Sequence, residues 1–136
     1  MDVDFMKVAI EDAKSNGHRF GAILVKDNKI LSKSGARLKG DFRYHAEAQV
    51  IMNSGKNLKG CVLYSTCEPC PMCFYLAWVT GVSKIVYGAA IQDSINQGIS
   101  EMQISAKELN EKSGSKIILK EGILKKECIN LLRNNS

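Results

Sequence analysis

Residues 61–88, CVLYSTCEPCPMCFYLAWVTGVSKIVYG, decide the fold of this chain. The apolar run 61–65 is typical of a buried strand, and residues 84–88 repeat the pattern. Between them, residues 70–79 are predicted to form a helix that ends at Gly81, since glycine readily adopts the left-handed conformation that closes helices. A strand, a helix and a second strand in this order predict two parallel neighbours joined by a right-handed crossover. The start of the helix then lies at the carboxyl ends of the strands, where ligands usually bind.

The start of this helix carries two cysteines that, together with an upstream histidine, are residue types found in metal sites. Cys70 and Cys73 lie in its opening turn, and His45 begins a second predicted helix, 45–54. Side chains in the opening turns of two neighbouring helices can converge on one point. Zinc prefers imidazole nitrogen and thiolate sulfur, and three protein ligands leave a fourth position for water. We therefore predict one Zn²⁺ per chain, held by His45, Cys70 and Cys73. Glu47, an unbound carboxylate two residues after the histidine, is the predicted catalytic residue because it can move protons.

Other interpretations of these residues stay open. Histidine and free cysteine are common in protein cores, so the cluster could be structural. Cys67 extends the two cysteines to a Cys-x-x-Cys-x-x-Cys run. With His45 it could close a four-ligand structural zinc site, or the run could hold part of an iron–sulfur cluster. A closed site would suit a non-catalytic zinc module that binds nucleic acid through basic segments. Such a site gives Glu47 no task, and the combined motifs favour catalysis.

The segment His45-Ala46-Glu47, followed by Pro-Cys-x-x-Cys, matches the signature of zinc-dependent deaminases. The chain resembles the cytidine and deoxycytidylate deaminase superfamily, nearest the branch of the guanine deaminases and the transfer RNA adenosine deaminases. Residues 65–73, STCEPCPMC, together with Asp93 and Gly98, are most similar to the guanine enzymes. Residues 121–132 are instead similar to the closing helix of the transfer RNA enzymes. Guanine, converted to xanthine, is the leading expected substrate; adenosine in transfer RNA, and cytosine or cytidine, are the alternatives.

The resemblance implies a single deaminase domain over residues 1–136 with a three-layer α/β/α fold, in which a mixed five-stranded sheet carries helices on both faces. The pattern of apolar residues and turn signals agrees with this. Besides the elements above, the sequence predicts helices at 4–14 and 125–133 and strands at 20–26, 30–34 and 116–120, with a hairpin connection at 27–29.

The same resemblance implies which residues contact the base, partly through main-chain groups. The candidate substrate contacts are Ala46, Ser65, Thr66, Glu68, Asp41 and Asp93. The two aspartates also suit turns or helix caps, which is the commoner use of a loop aspartate. Where relatives carry Asp-Pro-Thr-Ala before the histidine, this chain has Asp-Phe-Arg-Tyr at 41–44. The asparagine that many relatives place upstream has no obvious counterpart between residues 34 and 40.

The formal net charge is +5, and the excess lies in the first sixty and the last thirty residues. Arg37, Lys39 and Arg43 come just before His45 and could line the mouth of the site. They could hold a phosphate or an RNA backbone, or they could decorate a solvated loop. A small nucleobase or nucleoside is the favoured partner, with RNA as the less favoured one.

Composition also predicts compartment and assembly. The acidic first residues do not resemble a secretory signal, and no apolar run approaches the roughly 20 residues that cross a membrane. Five cysteines, an odd number, fit a reducing compartment, so we expect a cytoplasmic protein with no membrane partner. Residues 73–79 are apolar on every side of their helix. Either a second subunit covers the outer face, with anchors near Tyr75 and Trp78 in a homodimer, or an internal helix does.

Overall fold

The computed structural model describes residues 1–134. Its strands are β1 (Ala22–Lys26), β2 (Lys29–Lys33), β3 (Val62–Cys67), β4 (Lys84–Ala89) and β5 (Ile118–Lys120). Its helices are α1 (Asp2–Ser15), α2 (Ala46–Met52), α3 (Pro71–Thr80), α4 (Ile91–Asn96), α5 (Ala106–Lys112) and α6 (Lys125–Asn134), with a 3-10 turn at Phe42–Tyr44.

The strands form one mixed sheet in the order β2-β1-β3-β4-β5. β1 runs antiparallel to both β2 and β3, whereas β3, β4 and β5 are parallel to one another. The hairpin between β1 and β2 turns at Asp27 and Asn28, both with positive φ, as a tight two-residue hairpin turn requires. The predicted parallel pair around α3 and the mixed five-stranded sheet are therefore confirmed.

Helices cover both faces of the sheet, as predicted. On one face, α2 and α3 pack over Leu24, Leu63 and Ile85 in a core that also includes Ala106 of α5. On the other face, α1 and α6 enclose a second core around Ile23. Successive side chains of a strand point to opposite faces, which is why neighbours in β1 enter different cores. The two cores fix the sheet between the helix layers and hold the carboxyl end of β3 next to the start of α3.

Close packing of α1 on the sheet explains the small residue just before β1. A Cβ atom at Gly21 would lie 2.2 Å from the Ala9 carbonyl oxygen and 2.9 Å from Ala13 Cβ. A glycine at this position could leave room for a ligand, or it could allow α1 to cross the segment before β1 at close range. The contacts with Ala9 and Ala13 favour the close crossing.

Two short helices were not predicted. α4 and α5 occupy the stretch between β4 and β5, where the sequence is mostly polar and each helix has only six or seven residues. Short helices of this kind depend on tertiary contacts rather than on their own propensity. Within residues 1–134, no helix combines the length and the apolar character needed to cross a membrane.

Candidate active site

The three predicted metal ligands meet where the starts of α2 and α3 face each other. His45 is the N-cap residue of α2, Cys70 is the N-cap of α3, and Cys73 lies in the first turn of α3. Both sulfur atoms lie 3.5 Å from His45 Nδ1, and the three donor atoms are within 4.8 Å of one another. Zinc bonds of about 2.3 Å to sulfur and about 2.0 Å to nitrogen, at a tetrahedral angle, separate sulfur from nitrogen by about 3.5 Å. The donor set therefore fits Zn²⁺ in both chemistry and spacing.

Hydrogen bonding within this cluster shifts the pKa values of the two thiols in opposite directions. A hydrogen bond from the Cys73 thiol, assisted by another from His45, lowers the pKa of Cys70 to about 4, although burial acts in the opposite direction. The bond to Cys70 and burial together raise the pKa of Cys73. The hydrogen bond with Cys70 raises the pKa of His45. The cluster therefore favours the thiolate form of Cys70, and a coordinating cation would deprotonate the second thiol.

Glu47 lies in the first turn of α2 with only 6% of its surface exposed. Burial raises the pKa of its carboxyl group to about 7, and the nearby Cys70 thiolate acts in the same direction. A carboxyl group with a pKa near neutrality can both accept and release a proton at pH 7, which is the requirement for a general acid and base. Glu47 stands outside the group of three metal ligands, so its oxygens stay available for proton transfer.

A cavity of about 510 Å³ opens above the cluster, within the size range of small-molecule sites. Its walls come from the loop before β1, the loop 37–42, the starts of α2 and α3, and residues 99–101. Acidic side chains lie on it at Glu47, Glu68 and Glu101, and basic side chains at Arg37 and Lys39. The cavity therefore offers charged donors as well as acceptors on a wall that also includes apolar side chains such as Phe20, Leu38 and Ile99.

Glu101 is a lining residue that the sequence did not single out. It is part-buried, burial raises its pKa, and its carboxylate accepts a hydrogen bond of 2.7 Å from the Ser94 hydroxyl. It is the only charged residue in the sequence between positions 94 and 106, and this isolation could have marked it as a candidate site residue. Its position adds a further carboxyl group to the wall of the cavity, beside those of Glu47 and Glu68.

The predicted substrate contacts divide into two groups. Ala46, Glu68 and Asp41 line the cavity. The carboxylate of Glu68 is engaged by the chain itself, because it accepts hydrogen bonds from the backbone amides that begin α4 and α5, at 3.0 and 2.7 Å. Asp41 accepts from the amide and guanidinium of Arg43 and caps the 3-10 turn.

The other three predicted contacts are not among the residues that line the cavity. Ser65 donates to the Cys67 carbonyl at 2.6 Å, and Thr66 accepts from the Gly21 amide at 3.0 Å, both within the buried sheet. Asp93 accepts from the Ala90 amide at 2.8 Å and caps α4. Their side chains stabilise the scaffold around the site.

The remaining cysteines do not join the metal ligands. Cys67 is buried, its thiol lies 3.7 Å from the Ala90 carbonyl oxygen, and burial raises its pKa well above the usual range. Cys61 and Cys128 pack in the cores on opposite faces of the sheet. Neither the four-ligand zinc site nor the iron–sulfur cluster is supported by this arrangement.

Arg19 closes one wall of the cavity. Its guanidinium donates to the Leu132 carbonyl at 2.7 Å and to the Gln97 carbonyl at 3.3 Å. The loop before β1, the end of α4 and the closing helix α6 are therefore joined beside the site.

Comparison with known proteins agrees with the resemblance in the sequence. Residues 1–89 match the family model described as the cytidine and deoxycytidylate deaminase zinc-binding region. The chain is 35% identical over 96 residues to a tRNA-specific adenosine deaminase of Agrobacterium fabrum, covering 62% of this chain and 63% of that protein. It is 32% identical over 92 residues to a guanine deaminase of Bacillus subtilis, covering 62% of this chain and 59% of that protein. The chain thus spans about three fifths of the length of these two relatives.

A solved structure of a guanine deaminase from Nitrosomonas europaea superposes with a TM-score of 0.85 and 20% identity, covering 98% of this chain and 83% of that one. At this identity the likeness shows the fold, and it confirms the cytidine deaminase-like architecture predicted from the sequence.

Proposed function

The chain belongs to the cytidine and deoxycytidylate deaminase family, and on that premise we propose that it is a zinc-dependent hydrolase that releases the exocyclic amine of a nucleobase, or of a derivative, as ammonia. The observation that carries the proposal is the buried Glu47 carboxyl group beside the cluster of one imidazole and two sulfurs, on the wall of a cavity. A purely structural metal site needs neither the carboxyl group nor the cavity.

His45, Cys70 and Cys73 would hold the metal, and zinc in such a three-ligand site supplies a water molecule that ionises near neutral pH. Glu47 takes the proton from this water and delivers it to the ring nitrogen beside the carbon that bears the amine. The water oxygen bonds to that carbon, Glu47 carries the second proton of the water to the amine, and the carbon–nitrogen bond breaks to release ammonia. One carboxyl group thus acts first as base and then as acid.

Guanine is the leading substrate in this proposal. Two of the positive charges near the mouth are engaged by the chain itself: Arg43 pairs with Asp41 at 2.6 Å, and Arg19 donates to backbone carbonyls. An RNA backbone needs a row of available cations, because phosphate contacts supply most of its affinity. The cavity therefore favours a small base over a transfer RNA. The Agrobacterium relative makes adenosine in transfer RNA the second candidate, ahead of cytosine and cytidine.

Ammonia release over a panel of free bases, nucleosides, nucleotides and transfer RNA tests the substrate. We expect guanine to react and transfer RNA to remain unchanged; a reaction with transfer RNA alone would overturn the choice of guanine.

Two variants test catalysis against a non-catalytic zinc module. Glu47→Gln should retain one zinc per chain and the native circular dichroism spectrum but lose roughly 100-fold or more in turnover, since general acid–base catalysis contributes about that factor. Cys67→Ser should also retain its zinc, because Cys67 lies outside the ligand group. The opposite pattern, an active Glu47→Gln protein and a metal-free Cys67→Ser protein, would indicate a binding module.

The proposal extends to a cytoplasmic homodimer. Met72, Tyr75 and Val79 lie along one stripe of α3 and are 37%, 57% and 51% exposed, an apolar surface that a second copy could cover. Trp78 faces inward instead, where its indole donates to the Ser113 carbonyl at 3.3 Å and Lys116 lies over the ring. Sedimentation equilibrium should give a dimer for the wild type and a monomer for Tyr75→Glu; a monomeric wild type would contradict this assembly.

A further inference from the structure

The loop 37–42 forms one wall of the cavity, and all six of its residues line it. Just before this loop, the Asp12 carboxylate of α1 accepts a hydrogen bond from the Gly35 amide at 2.8 Å. Two residues further on, the Arg37 amide donates to His18 Nε2 at 3.2 Å. The main chain therefore enters the wall of the cavity held by two side chains from α1 and the segment that follows it.

His18 is itself fixed at the point where α1 ends. Its backbone amide donates to the Ala13 carbonyl oxygen at 2.9 Å, and Gly17 before it has a φ of +69°, the left-handed conformation in which helices commonly close. The side chain of His18 is 7% exposed and lines the cavity. The imidazole therefore meets the loop from a rigid support.

The hydrogen bond from Arg37 defines the protonation state of this imidazole. A backbone amide can only donate, so Nε2 of His18 is the unprotonated, accepting nitrogen of a neutral ring. In the imidazolium form both ring nitrogens carry protons, and two N–H groups would then face each other. Protonation of His18 therefore removes the hydrogen bond between the imidazole and the loop.

The surroundings of His18 favour the neutral ring. Burial lowers its pKa below the ordinary value of 6.5, and the positive charges of Arg37 and Lys39 act in the same direction. Asp12 opposes them, and within the described part of the chain these three are the charged groups that act on the ring. A base whose pKa is lowered by its bound position stabilises that position above its ordinary pKa and loses the effect as pH falls. The hydrogen bond to the loop is thus fully present above about pH 6.5 and weakens below it.

We propose that His18 is a positioning residue that holds the main chain of loop 37–42 at the cavity when its ring is neutral and releases it when the ring is protonated. The Arg37 guanidinium keeps its own hydrogen bond to the Phe20 carbonyl oxygen, at 2.6 Å, because that acceptor does not ionise. Protonation of His18 thus loosens the main chain without detaching the Arg37 side chain. The consequence for the enzyme rests on the proposed function: a base that contacts this wall binds less tightly below about pH 6.5.

Hydrogen exchange at the Arg37 amide, followed by NMR on the zinc-loaded protein, tests the proposal. Protection is compared at about pH 7.5 and about pH 5.5, after correction for the intrinsic pH dependence of amide exchange. We expect the protection of the Arg37 amide to fall at least about threefold, since each pH unit below the ordinary pKa changes the opening equilibrium by up to about tenfold. The Gly21 amide donates to the Thr66 hydroxyl at 3.0 Å, an acceptor that does not ionise in this range, and should keep its protection.

Two variants separate the titration of His18 from other effects of pH. Glutamine brings an amide oxygen near the position of Nε2 and does not ionise, so His18→Gln should protect the Arg37 amide equally at both pH values. This variant also controls for changes in the metal cluster between the two conditions. Phenylalanine keeps the ring but has no acceptor, so His18→Phe should already give the low protection at pH 7.5.

Guanine binding measures the effect on the cavity. Dissociation constants are compared at about pH 7.5 on zinc-loaded Glu47→Gln protein, with and without His18→Phe or His18→Gln. We expect His18→Phe to weaken binding roughly 2- to 10-fold, the range for one net hydrogen bond, and His18→Gln to restore most of the loss.

Protection of the Arg37 amide that does not change with pH in the wild type, or that falls equally in His18→Gln, would overturn the role of His18. If His18→Phe does not fold, the comparison of the wild type with His18→Gln decides alone. Unchanged guanine binding by the His18→Phe protein would refute the consequence for the cavity. No guanine binding by any of these proteins would count against guanine in the proposed function, while exchange at the Arg37 amide would still decide the role of His18.

Discussion

Replacing Glu68 by glutamine should destabilise the fold rather than act on substrate binding alone. The side chain is 8% exposed, and its two carboxylate oxygens accept from the amides of Ile91 and Ala106, the first residues of α4 and α5. A hydrogen bond to a charged group contributes about 1.5–3 kcal/mol. Glutamine keeps one acceptor, turns an N–H group toward the other amide, and removes the negative charge that both helix starts favour. We expect the free energy of unfolding to fall by about 2–4 kcal/mol.

Urea unfolding followed by circular dichroism measures this change, with Glu108→Gln as the matched control. Glu108 is partly exposed and pairs with Lys112 on the surface of α5, so its loss should cost less than about 0.5 kcal/mol. If the unfolding free energy of Glu68→Gln protein lies within about 0.5 kcal/mol of the wild-type value and the protein binds base poorly, then Glu68 contacts the substrate and does not stabilise the starts of the two helices.

Three further outcomes are expected. Gly21→Ala should lower the free energy of unfolding by about 2–3 kcal/mol, because the new methyl group meets the Ala9 carbonyl oxygen; an unchanged thermal midpoint would contradict the tight crossing. Hydrogen bonds from Lys120 and then Tyr64 lower the pKa of Asp2 to about 2, below its ordinary value of 3.8. Asp2 therefore stabilises the fold above about pH 4 and loses this effect as pH falls toward 2. The wild type should exceed Asp2→Asn in unfolding free energy by about 1 kcal/mol at pH 6, after allowance for solvent screening, and by less at pH 3. A difference that does not change with pH would show that the ionised carboxylate of Asp2 is not its source. Stripping the metal with a chelator should lower the thermal midpoint and abolish turnover, both restored by added zinc, whereas an unaffected midpoint would count against ligation by buried sulfurs.

The parts of the fold that the sequence predicts are those with strong local signals. Residues 61–88 alternate between apolar runs and a proline-started, glycine-ended helix, and they form the observed β3, α3 and β4. The metal cluster was equally predictable, because each of its ligands lies at a helix start that the sequence marks. His45, Cys70 and Cys73 come together as the two helices pack.

The parts that escaped prediction depend on distant contacts. α4 and α5 are short and polar, and their first amides are satisfied by Glu68, which is 23 and 38 residues away in the chain. The buried orientation of Arg37 depends on the Phe20 carbonyl, which no local pattern reveals. Motif spacing could place Glu68 beside the site, but it could not say that both carboxylate oxygens were already in use.

The bonds made by Arg19 connect the wall of the cavity to the far end of the chain. Leu132 contributes only a carbonyl oxygen, yet that oxygen helps to anchor a guanidinium that forms part of the wall around the ligand. A displacement of α6 would therefore move a side chain of the cavity wall. Because this contact is made by a backbone oxygen, the position of Arg19 depends on where α6 lies and not on which side chain stands at residue 132.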